Sequence, residues 1–482
     1  MNYRIILKIV GRVIGIEAVF LLFPTVVSLI YHESVKGFLV AIAVAVAVSA
    51  LVTALTRKHN SQFYAKEGFT SVALSWVCIS LIGAIPFVVE GSIPSYVDAL
   101  FETVSGFTTT GSSILAEIAS LPRGILFWRS LTHWIGGMGI LVFMMAVVPM
   151  SKEFSMYIMR AEVPGLEAGK LTAKIQHNSI VLYLIYIFLT VLETLILKVC
   201  GLSFYDALVH TFSTAGTGGF SVYNDSITSC SPAVQITISV FMMLFGINFN
   251  LYFLLLLRKF RSVFKNEELR CYLALIAFST ITIAFNIRKL CGSMGEAFRL
   301  AFFQVNAFSS TTGFSSADFD KWPTYSKMLL FLLMLIGSCA GSTAGGLKIS
   351  RLMIVFKASV AEIKHMLHPR SINPIRLEGK SITKEILRGT IVYFSMLVIF
   401  ILSGSLLLSL ENKDLITSIS SVATCISNVG PGFNLVGPTC NFGFFSAPSK
   451  LLLSVFMLMG RLELFPIVIL FYPSTWKKRG QF

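Results

Sequence analysis

The chain has 482 residues, of which 55% are hydrophobic and only 13% are charged. Soluble domains carry about 25% charged residues, so this composition excludes an ordinary soluble domain and predicts an integral membrane protein surrounded by lipid. The net charge of +15 would suggest nucleic acid as the partner of a soluble protein, but basic cytoplasmic loops explain it in a membrane protein. We therefore expect no nucleic-acid partner.

Residues 1–60 form the first predicted part, an N-terminal extension of two membrane spans. The apolar segments 13–31 and 37–55 are each long enough to cross a bilayer. The outer ends of this pair are basic, with Lys8, Arg12, Arg57 and Lys58. Both ends are therefore predicted to be cytoplasmic.

Four further units follow, each predicted to consist of a span, a short hairpin and a second span. Their predicted boundaries are 61–165, 166–262, 263–380 and 381–482. The paired spans lie near 69–89 and 124–149, 179–200 and 233–257, 271–287 and from 328 onward, and 389–410 and 450–472. Ten spans and four hairpins place both termini on the same side of the membrane.

A segment of 13 residues recurs between the two spans of each unit, at 99–111, 207–219, 301–313 and 418–430. Its fourth position is always polar (Glu102, His210, Gln304 and Ser421), and its seventh is always small (Ser105, Ser213, Ala307 and Thr424). Its thirteenth position is always glycine (Gly111, Gly219, Gly313 and Gly430). Such an internal repeat predicts one structural element that is used four times.

Each copy is too short to cross a bilayer, because about nine helical residues span only about half of its hydrocarbon core. Non-helical backbone is tolerated at membrane depth only where protein or a water-filled cavity covers it. Four copies in register therefore predict hairpins around one axis, with backbone carbonyls facing an ion path. For a single copy, an ordinary connection between helices would be the alternative. The predicted fold is an all-α integral membrane protein with four span–pore-hairpin–span units in a pseudo-fourfold ring plus two N-terminal transmembrane helices.

The end of each copy contributes three residues to a predicted cation filter. These residues are Thr109, Thr110, Gly111, Thr217, Gly218, Gly219, Thr311, Thr312, Gly313, Asn428, Val429 and Gly430. None of them is a carboxylate, and neutral carbonyls suit a weakly hydrated monovalent cation. Potassium fits best, and rubidium or caesium would bind for the same reason. The fourth copy departs from the others, since Pro431 directly follows its glycine.

Basic residues predict on which side the hairpins lie. The segments assigned to the cytoplasm hold about 26 Lys and Arg residues, and the opposite loops hold about 11. Because an excess of Lys and Arg marks cytoplasmic loops, both termini are predicted to be inside and all four hairpins outside.

The filter motifs resemble those of a superfamily of K⁺ transporters that includes the TrkH, TrkG and KtrB pore subunits and the fungal Trk proteins. The motifs are TTTG at 108–111, TGGFS at 217–221, TTGF at 311–314 and NVGPG at 428–432. The two extra N-terminal spans resemble TrkH and TrkG rather than KtrB. The resemblance covers nearly the whole chain and implies K⁺ uptake across a bacterial inner membrane by a homodimer with a separate cytosolic nucleotide-binding regulatory ring (TrkA). It implies K⁺ as the transported ion, and we expect no cofactor in this chain.

The second span of the third unit contains a run of small residues at 336–347. Four glycines lie within ten residues of this run, and they should interrupt a helix because glycine costs about 1 kcal/mol relative to alanine. Close helix packing is the alternative, but packing motifs usually space small residues four apart and stay helical. In the resembled family this segment is a flexible gate below the filter. The resemblance thus implies a gating role for Gly341, Ser342, Thr343, Gly345, Gly346 and Lys348.

Arg461 lies in the middle of the last predicted span, where a charged side chain normally faces a cavity or a partner. Glu463 does not share its helix face, so we predict that Arg461 is a fixed positive charge below the filter that opposes a passing cation and holds the gate. The family resemblance points the same way. Arg129 and His133 are predicted to be a structural pair, and Glu102 is predicted to lie in the first turns of its helix, where the helix dipole favours an acid.

A symporter that uses H⁺ or Na⁺ to drive K⁺ is the alternative function. Symporters often have discontinuous helices near the midplane, and the run at 336–347 partly satisfies this requirement. An enzyme is not expected, because the sequence has no HExxH motif, no nucleophile elbow and no paired intramembrane carboxylates. The GSTAGG run at 341–346 also lacks the strand–turn–helix context of a nucleotide-binding loop.

Overall fold

The computed structural model describes residues 1–56, 65–139, 175–371 and 374–476. These residues are mostly helical, and the only strands among them are the antiparallel pair Arg376–Leu377 and Lys380–Ser381. Six of the described helices are long and apolar enough to cross a membrane, and a bent helix pair supplies a seventh crossing if it counts as one span. The prediction of a mostly helical, multi-pass membrane protein is confirmed. The end of the predicted span 124–149 and the boundary at 165 lie outside the described residues.

Helices make up nearly all of the regular structure. Up to residue 256 they are Tyr3–Phe20, Leu22–Ile30, Lys36–Leu55, Ala65–Gly83, Ile85–Val89, Tyr96–Phe107, Arg123–Gly137, Ile175–Val199, Phe204–Ala215, Pro232–Phe245 and Phe249–Leu256. From residue 260 they are Phe260–Phe264, Glu267–Ile287, Met294–Ser309, Thr324–Ile336, Ile349–Leu367, Lys384–Leu408, Leu415–Ser427, Ala447–Arg461 and Phe465–Phe471. Short 3₁₀ turns cover Arg288–Leu290, Phe319–Lys321, Ser409–Glu411, Asn434–Val436 and Pro473–Thr475.

Four of these helices are short and occupy the repeated segments, and local sequence explains where they begin. They are Tyr96–Phe107, Phe204–Ala215, Met294–Ser309 and Leu415–Ser427. The residues before them, Ser95, Ser203, Ser293 and Asp414, each accept a hydrogen bond from a backbone N–H of the first turn. Such caps satisfy donors that have no partner within the helix. In the first three helices an acidic residue also lies in the first turn, where it interacts favourably with the helix dipole.

The second spans of three units are interrupted. In the third unit no helix covers the residues between Ile336 and Ile349, which is where the glycine run predicted a break. In the second unit the helices Pro232–Phe245 and Phe249–Leu256 meet at 88°. In the fourth unit the helix that ends at Arg461 is followed by a separate helix. We expected continuous spans in the second and fourth units, so the structure differs from the prediction there.

Contacts between units explain the bend in the second unit. Cys339 N donates to Gly246 O over 3.2 Å, and Phe249 N donates to Gly341 O over 3.0 Å. The backbone groups that the bend frees are thus paired with the non-helical residues 337–348 of the third unit, called here the interrupted segment, as membrane burial requires. In the fourth unit Leu464 has a positive φ of 65°, and Pro466 lies in the first turn of the next helix, where its missing N–H is not needed.

Apolar side chains face outward on the long helices, while hydroxyl groups lie inside. Leu29, Phe188 and Leu402 are exposed, whereas Ser213 and Thr312 are fully buried. This distribution is the reverse of that in a soluble protein and suits a lipid-covered surface around a polar interior. The buried hydroxyls concentrate at the ends of the four short helices, where the predicted filter residues lie.

Candidate ion site

Each short helix ends in the same backbone turn, two residues before its glycine. Thr109, Thr217, Thr311 and Asn428 have left-handed backbone angles, with φ between 54° and 57°. The N–H of the next residue donates to the carbonyl at the seventh position of the repeat, over 2.8 to 3.1 Å. This hydrogen bond defines a Schellman cap, so the seventh position belongs to the helix and the glycine lies in the extended chain beyond it.

Threonine is unusual in such a turn, because a β-branched residue at positive φ is strained. Strain of this kind costs on the order of 1–3 kcal/mol and is found where the surrounding structure holds the residue in place. Two of the three threonine hydroxyls make such contacts. Thr217 Oγ1 donates to Thr343 O over 3.0 Å, and Thr311 Oγ1 accepts from Gly345 N over 2.7 Å. Both bonds join the strained turns to the interrupted segment of the third unit.

The four glycine segments contact one another in a closed cycle. A β-carbon built on each glycine would meet a carbonyl oxygen of the next segment: Gly111 that of Gly218, Gly219 that of Thr312, Gly313 that of Val429 and Gly430 that of Thr110. The glycines also have φ between 77° and 105°. Both the close approach and the positive φ therefore require glycine at the thirteenth position of every copy.

Hydrogen bonds join the last segment of this cycle to the first. Asn428 Nδ2 donates to Thr110 Oγ1 over 2.9 Å, and Ser112 Oγ donates to Gly430 O over 3.0 Å. The predicted filter residues of all four copies are thus brought together, although they are spread over more than 300 positions of the chain.

A cavity of ≈ 130 Å³ lies on one side of the glycine cycle. All four glycines line it, together with residues that follow them in each copy, including Ser113, Phe220, Ser315 and Pro431. Among the described residues that line the cavity, none is a carboxylate and Arg129 is the one charged side chain. Its other polar side chains carry hydroxyl, amide or thiol groups, and uncharged groups suit a weakly held monovalent cation rather than a divalent one.

The interrupted segment, residues 337–348, forms a loop that contacts the residues before the glycines. Besides its bonds to Thr217 and Thr311, it reaches the fourth copy, because a β-carbon on Gly345 would lie 3.0 Å from Asn428 Cβ. The cavity is lined by the glycines and the residues after them. The interrupted segment and the cavity therefore lie on opposite sides of the glycine cycle.

Backbone hydrogen bonds close the interrupted segment into a loop. Leu347 N donates to Leu335 O over 3.0 Å, and Lys348 N donates to Ile336 O over 2.8 Å. Glu268 is buried, and its Oε1 accepts from Ala340 N at 2.8 Å. The same oxygen accepts from the N–H of residue 350 at 3.1 Å. One carboxylate on a neighbouring helix thus holds the loop at Ala340 and the first turn of the helix that follows the loop.

Arg461 connects the loop to the first unit. Its Nη1 donates to Thr343 O over 2.7 Å, and its Nη2 donates to the carbonyls of Gly136 and Gly137 over 2.5 Å each. These two glycines end the helix Arg123–Gly137, and the C-terminus of a helix attracts a cation. The guanidinium therefore links the middle of the loop to the end of a helix in another unit.

The other predicted gate residues make contacts of a different kind. Ser342 Oγ bonds within the loop, to Cys339 O, and Lys348 Nζ donates to Ala344 O. Gly341 packs against Asn248, and Gly346 packs against Gly337 at the base of the loop. Three of the predicted gate residues make contacts farther away. Thr343 and Gly345 contact the ends of the short helices, and Arg461 of the fourth unit contacts Thr343 and the first unit.

The structure corrects two predictions about charged residues near the first copy. Glu102 lies in the middle of the helix Tyr96–Phe107 and forms a buried ion pair with Arg129 at 2.8 Å. His133 does not pair with Arg129; it stacks on Phe220 with ring centroids 4.1 Å apart. Sequence reasoning missed both contacts, although the polar fourth position of the repeat was a signal for Glu102.

Glu463 bonds to Arg351 at 2.6 Å rather than to Arg461, as its place on a different helix face from Arg461 predicted.

Comparisons with known proteins agree over almost the full length. A family model named TrkH and described as a cation transport protein matches residues 34–478. The chain is 33% identical over 487 residues to the Trk system potassium uptake protein TrkH of Salmonella typhimurium, covering 99% of this chain and 100% of that protein. It is 30% identical over 482 residues to the Trk system potassium uptake protein TrkG of Escherichia coli, covering 99% of each.

A solved structure agrees with the same assignment. The crystal structure of the potassium transporter TrkH from Vibrio parahaemolyticus matches this structure with a TM-score of 0.89 at 30% sequence identity. The match covers 99% of this chain and 100% of that one. The family model, the relatives and this solved structure point to one family, and the chain belongs to the TrkH family of cation transport proteins.

Proposed function

We propose that this chain is the membrane subunit of a potassium uptake system and conducts K⁺, with Rb⁺ and Cs⁺ as substitutes, through a filter built by the four glycine segments. The observation that carries the proposal is the closed cycle of contacts between Gly111, Gly219, Gly313 and Gly430. The names of the relatives, which are potassium uptake proteins, support the choice of ion. In this proposal the four units form a pseudo-fourfold ring around one ion path.

Backbone carbonyls would replace the hydration shell of the ion at this cycle. The twelve filter residues carry no charge, and the described residues that line the adjoining cavity include no carboxylate. A divalent ion would therefore lose more hydration energy than the site returns. Each copy contributes only a short extended stretch, so the filter has few stacked sites. We expect it to discriminate K⁺ from Na⁺ less well than a long filter does.

The interrupted segment is proposed to be the gate. It lies against the ends of the second, third and fourth short helices, on the side of the cycle opposite the cavity. Arg461 would add a fixed positive charge there and would hold Thr343 in place. We further propose a homodimer in a bacterial inner membrane, with both termini and a nucleotide-binding TrkA-like regulator in the cytosol. The basic composition of the predicted cytoplasmic loops supports this orientation.

A coupled symporter is the second candidate, and a specific observation favours it. The helices are discontinuous at 246–248, 337–348 and 462–464, and discontinuous helices form the substrate sites of many symporters. Two long helices also carry buried carboxylates, Glu17 and Glu193, and Glu17 has no hydrogen-bond partner among the described residues. A protonated carboxyl at either position would suit H⁺ coupling.

Reconstitution into liposomes tests the two candidates. The full chain is inserted alone, and Rb⁺ flux is measured against imposed gradients of K⁺, Na⁺ and pH. A conducting pore gives flux that follows the electrochemical gradient of K⁺ and persists without a pH or Na⁺ gradient. Flux that requires a proton or Na⁺ gradient would contradict the pore and support the symporter.

Replacing Gly313 with serine should reduce the preference for K⁺ over Na⁺. A β-carbon there would meet Val429 O and would lie 2.7 Å from Pro431 Cδ, so the two segments must move apart and displace their carbonyls. We expect the Rb⁺/Na⁺ flux ratio to fall by roughly tenfold, which corresponds to about 1.4 kcal/mol of lost discrimination. Gly389→Ser is a matched control, because a β-carbon at Gly389 meets nothing within 4 Å. An unchanged ratio in well-inserted Gly313→Ser protein would remove Gly313 from the filter.

Replacing Glu268 with alanine should increase flux in the absence of any regulator. The carboxylate accepts from two buried backbone N–H groups, one in the loop and one in the first turn of the helix after it, and each unsatisfied N–H costs about 1–3 kcal/mol. Loss of both bonds should therefore favour displaced loop conformations. Glu268→Gln keeps one acceptor oxygen and should give a smaller increase. Basal Rb⁺ flux per inserted molecule is the measurement, and equal flux in parent and Glu268→Ala protein would show that the carboxylate does not hold the gate.

A further inference from the structure

We propose that Glu102 and Arg129 form a positioning pair that joins the first two hairpins and thereby sets the cation preference of the ion site. Neither residue would touch the ion. The inference rests on the proposed filter and names the residues that hold its carbonyls in place. Three sets of contacts carry it: those of the carboxylate, those of the guanidinium and the corresponding contacts in the other three copies.

The Glu102 carboxylate fastens the chain that follows the first glycine. Its Oε2 accepts from Ile114 N over 3.0 Å, and its Oε1 accepts from Ser113 Oγ over 2.9 Å. These residues lie two and three positions after Gly111. Glu102 itself is buried and lies on the short helix before the glycine. The carboxylate therefore holds the two ends of the first hairpin against each other.

The Arg129 guanidinium extends this link to the second hairpin. Its Nε donates to Glu102 Oε1 over 2.9 Å, and its carbon lies 4.1 Å from the centre of the Phe220 ring. Phe220 directly follows Gly219. His133 also stacks on Phe220, with ring centroids 4.1 Å apart. One buried ion pair and one aromatic ring thus fix how far Gly111 and Gly219 lie from each other.

The corresponding position fastens the same part of the hairpin in the second and third copies. In the second copy His210 Nε2 lies 3.0 Å from Ser221 Oγ, two residues after the glycine. In the third, Gln304 Oε1 accepts from Ser316 N over 3.1 Å, three residues after the glycine. An imidazole and an amide therefore do what the carboxylate does in the first copy. This shared geometry explains why the fourth position of the repeat is polar in the first three copies.

The fourth copy uses a neighbouring residue for this contact. Ser420, at the third position, accepts from Phe433 N over 3.1 Å, three residues after Gly430. The contact is thus present in all four copies, with a different chemical group in each. The first copy differs from the others in that its carboxylate is also paired with a cation, which reaches the adjacent hairpin. We therefore expect the ion pair to matter more for the spacing between hairpins than the neutral contacts do.

A substitution that breaks the pair leaves a buried charge without its partner, and the guanidinium would then seek water or another acceptor. Because Arg129 lines the cavity beside Gly111 and Gly219, its movement would change the spacing of the carbonyls. Carbonyl spacing and number determine how well a site distinguishes K⁺ from Na⁺. Loss of the pair should therefore lower the preference for K⁺ more than it lowers total flux.

The experiment measures Rb⁺ and Na⁺ flux of the full chain in liposomes, per inserted molecule. For Glu102→Gln we expect the Rb⁺/Na⁺ ratio to fall by roughly threefold or more, with Rb⁺ flux reduced less than the ratio. Asp98→Asn is the matched control. Asp98 lies on the same helix as Glu102 and forms an ion pair of 2.6 Å with Lys450 on another helix. The substitution breaks that pair but leaves the chain after the glycine untouched, so the Rb⁺/Na⁺ ratio should equal that of the parent.

Two outcomes would overturn the inference: an unchanged ratio in well-inserted Glu102→Gln protein, or an equal fall in Asp98→Asn protein. If Glu102→Gln does not insert, Ser113→Ala decides, because it removes one donor to Glu102 and keeps the ion pair. A fall in its Rb⁺/Na⁺ flux ratio relative to the parent supports the inference, and no change overturns it. A parent protein that shows no preference for Rb⁺ over Na⁺ would instead contradict the proposed function.

Discussion

Arg461→Ala protein should conduct Rb⁺ about a hundredfold faster than the parent when no regulator is present. At about 6 Å from the ion and an effective dielectric constant of about 20, a unit charge opposes a cation by roughly 3 kcal/mol. The substitution also removes the donor to Thr343 O, which releases the middle of the loop from the helix end at Gly136 and Gly137. Both effects increase flux, and Rb⁺ uptake per inserted molecule measures their sum.

Arg461→Lys separates the two effects. Lysine keeps the charge but not the planar fork that reaches three carbonyls, so we expect a smaller increase in flux than alanine gives. If Arg461 mainly neutralised a buried acid, its loss would leave that acid unpaired, and the protein would misfold or lose flux. Well-inserted Arg461→Ala protein with lowered or unchanged uptake would therefore contradict the proposed barrier.

Deletion of residues 342–344 should also raise basal Rb⁺ flux, by roughly tenfold or more. The deletion removes Thr343, whose carbonyl accepts from Arg461 and from Thr217. A hydrogen bond from a charged donor contributes about 1.5–3 kcal/mol, which corresponds to roughly a ten- to hundredfold change in the population of the closed loop. The base of the loop is closed by Leu347 N and Lys348 N and remains outside the deletion.

The Rb⁺/Na⁺ ratio is the internal control for the deletion. The glycine cycle and the cavity lie on the other side of the short-helix ends, so the ratio should stay near that of the parent while flux rises. Basal flux no higher than that of the parent, in protein that inserts normally, would show that the loop is not the barrier. A fall in the ratio would mean that the loop supports the filter instead of gating it.

The sequence by itself determined the features that depend on local backbone chemistry. Gly111, Gly219, Gly313 and Gly430 could be predicted as one repeated position, because a positive φ strongly favours glycine. The break at 337–348 followed from four glycines close together, which destabilise a helix wherever it lies. Membrane spans were predictable because an apolar run of about 20 residues has the length of a bilayer core.

Only the tertiary structure decided features that depend on distant partners. The bend at Gly246 could not be predicted, because one glycine in a span is common and the bend is stabilised by hydrogen bonds to the loop about 90 residues later. Glu102 looked like a residue near the start of its helix, but its partner is Arg129 on the next span. The closed cycle of glycines likewise depends on contacts between segments more than 300 positions apart. Hydrophobic periodicity and helix propensity describe only neighbouring residues, so they carry no information about such contacts.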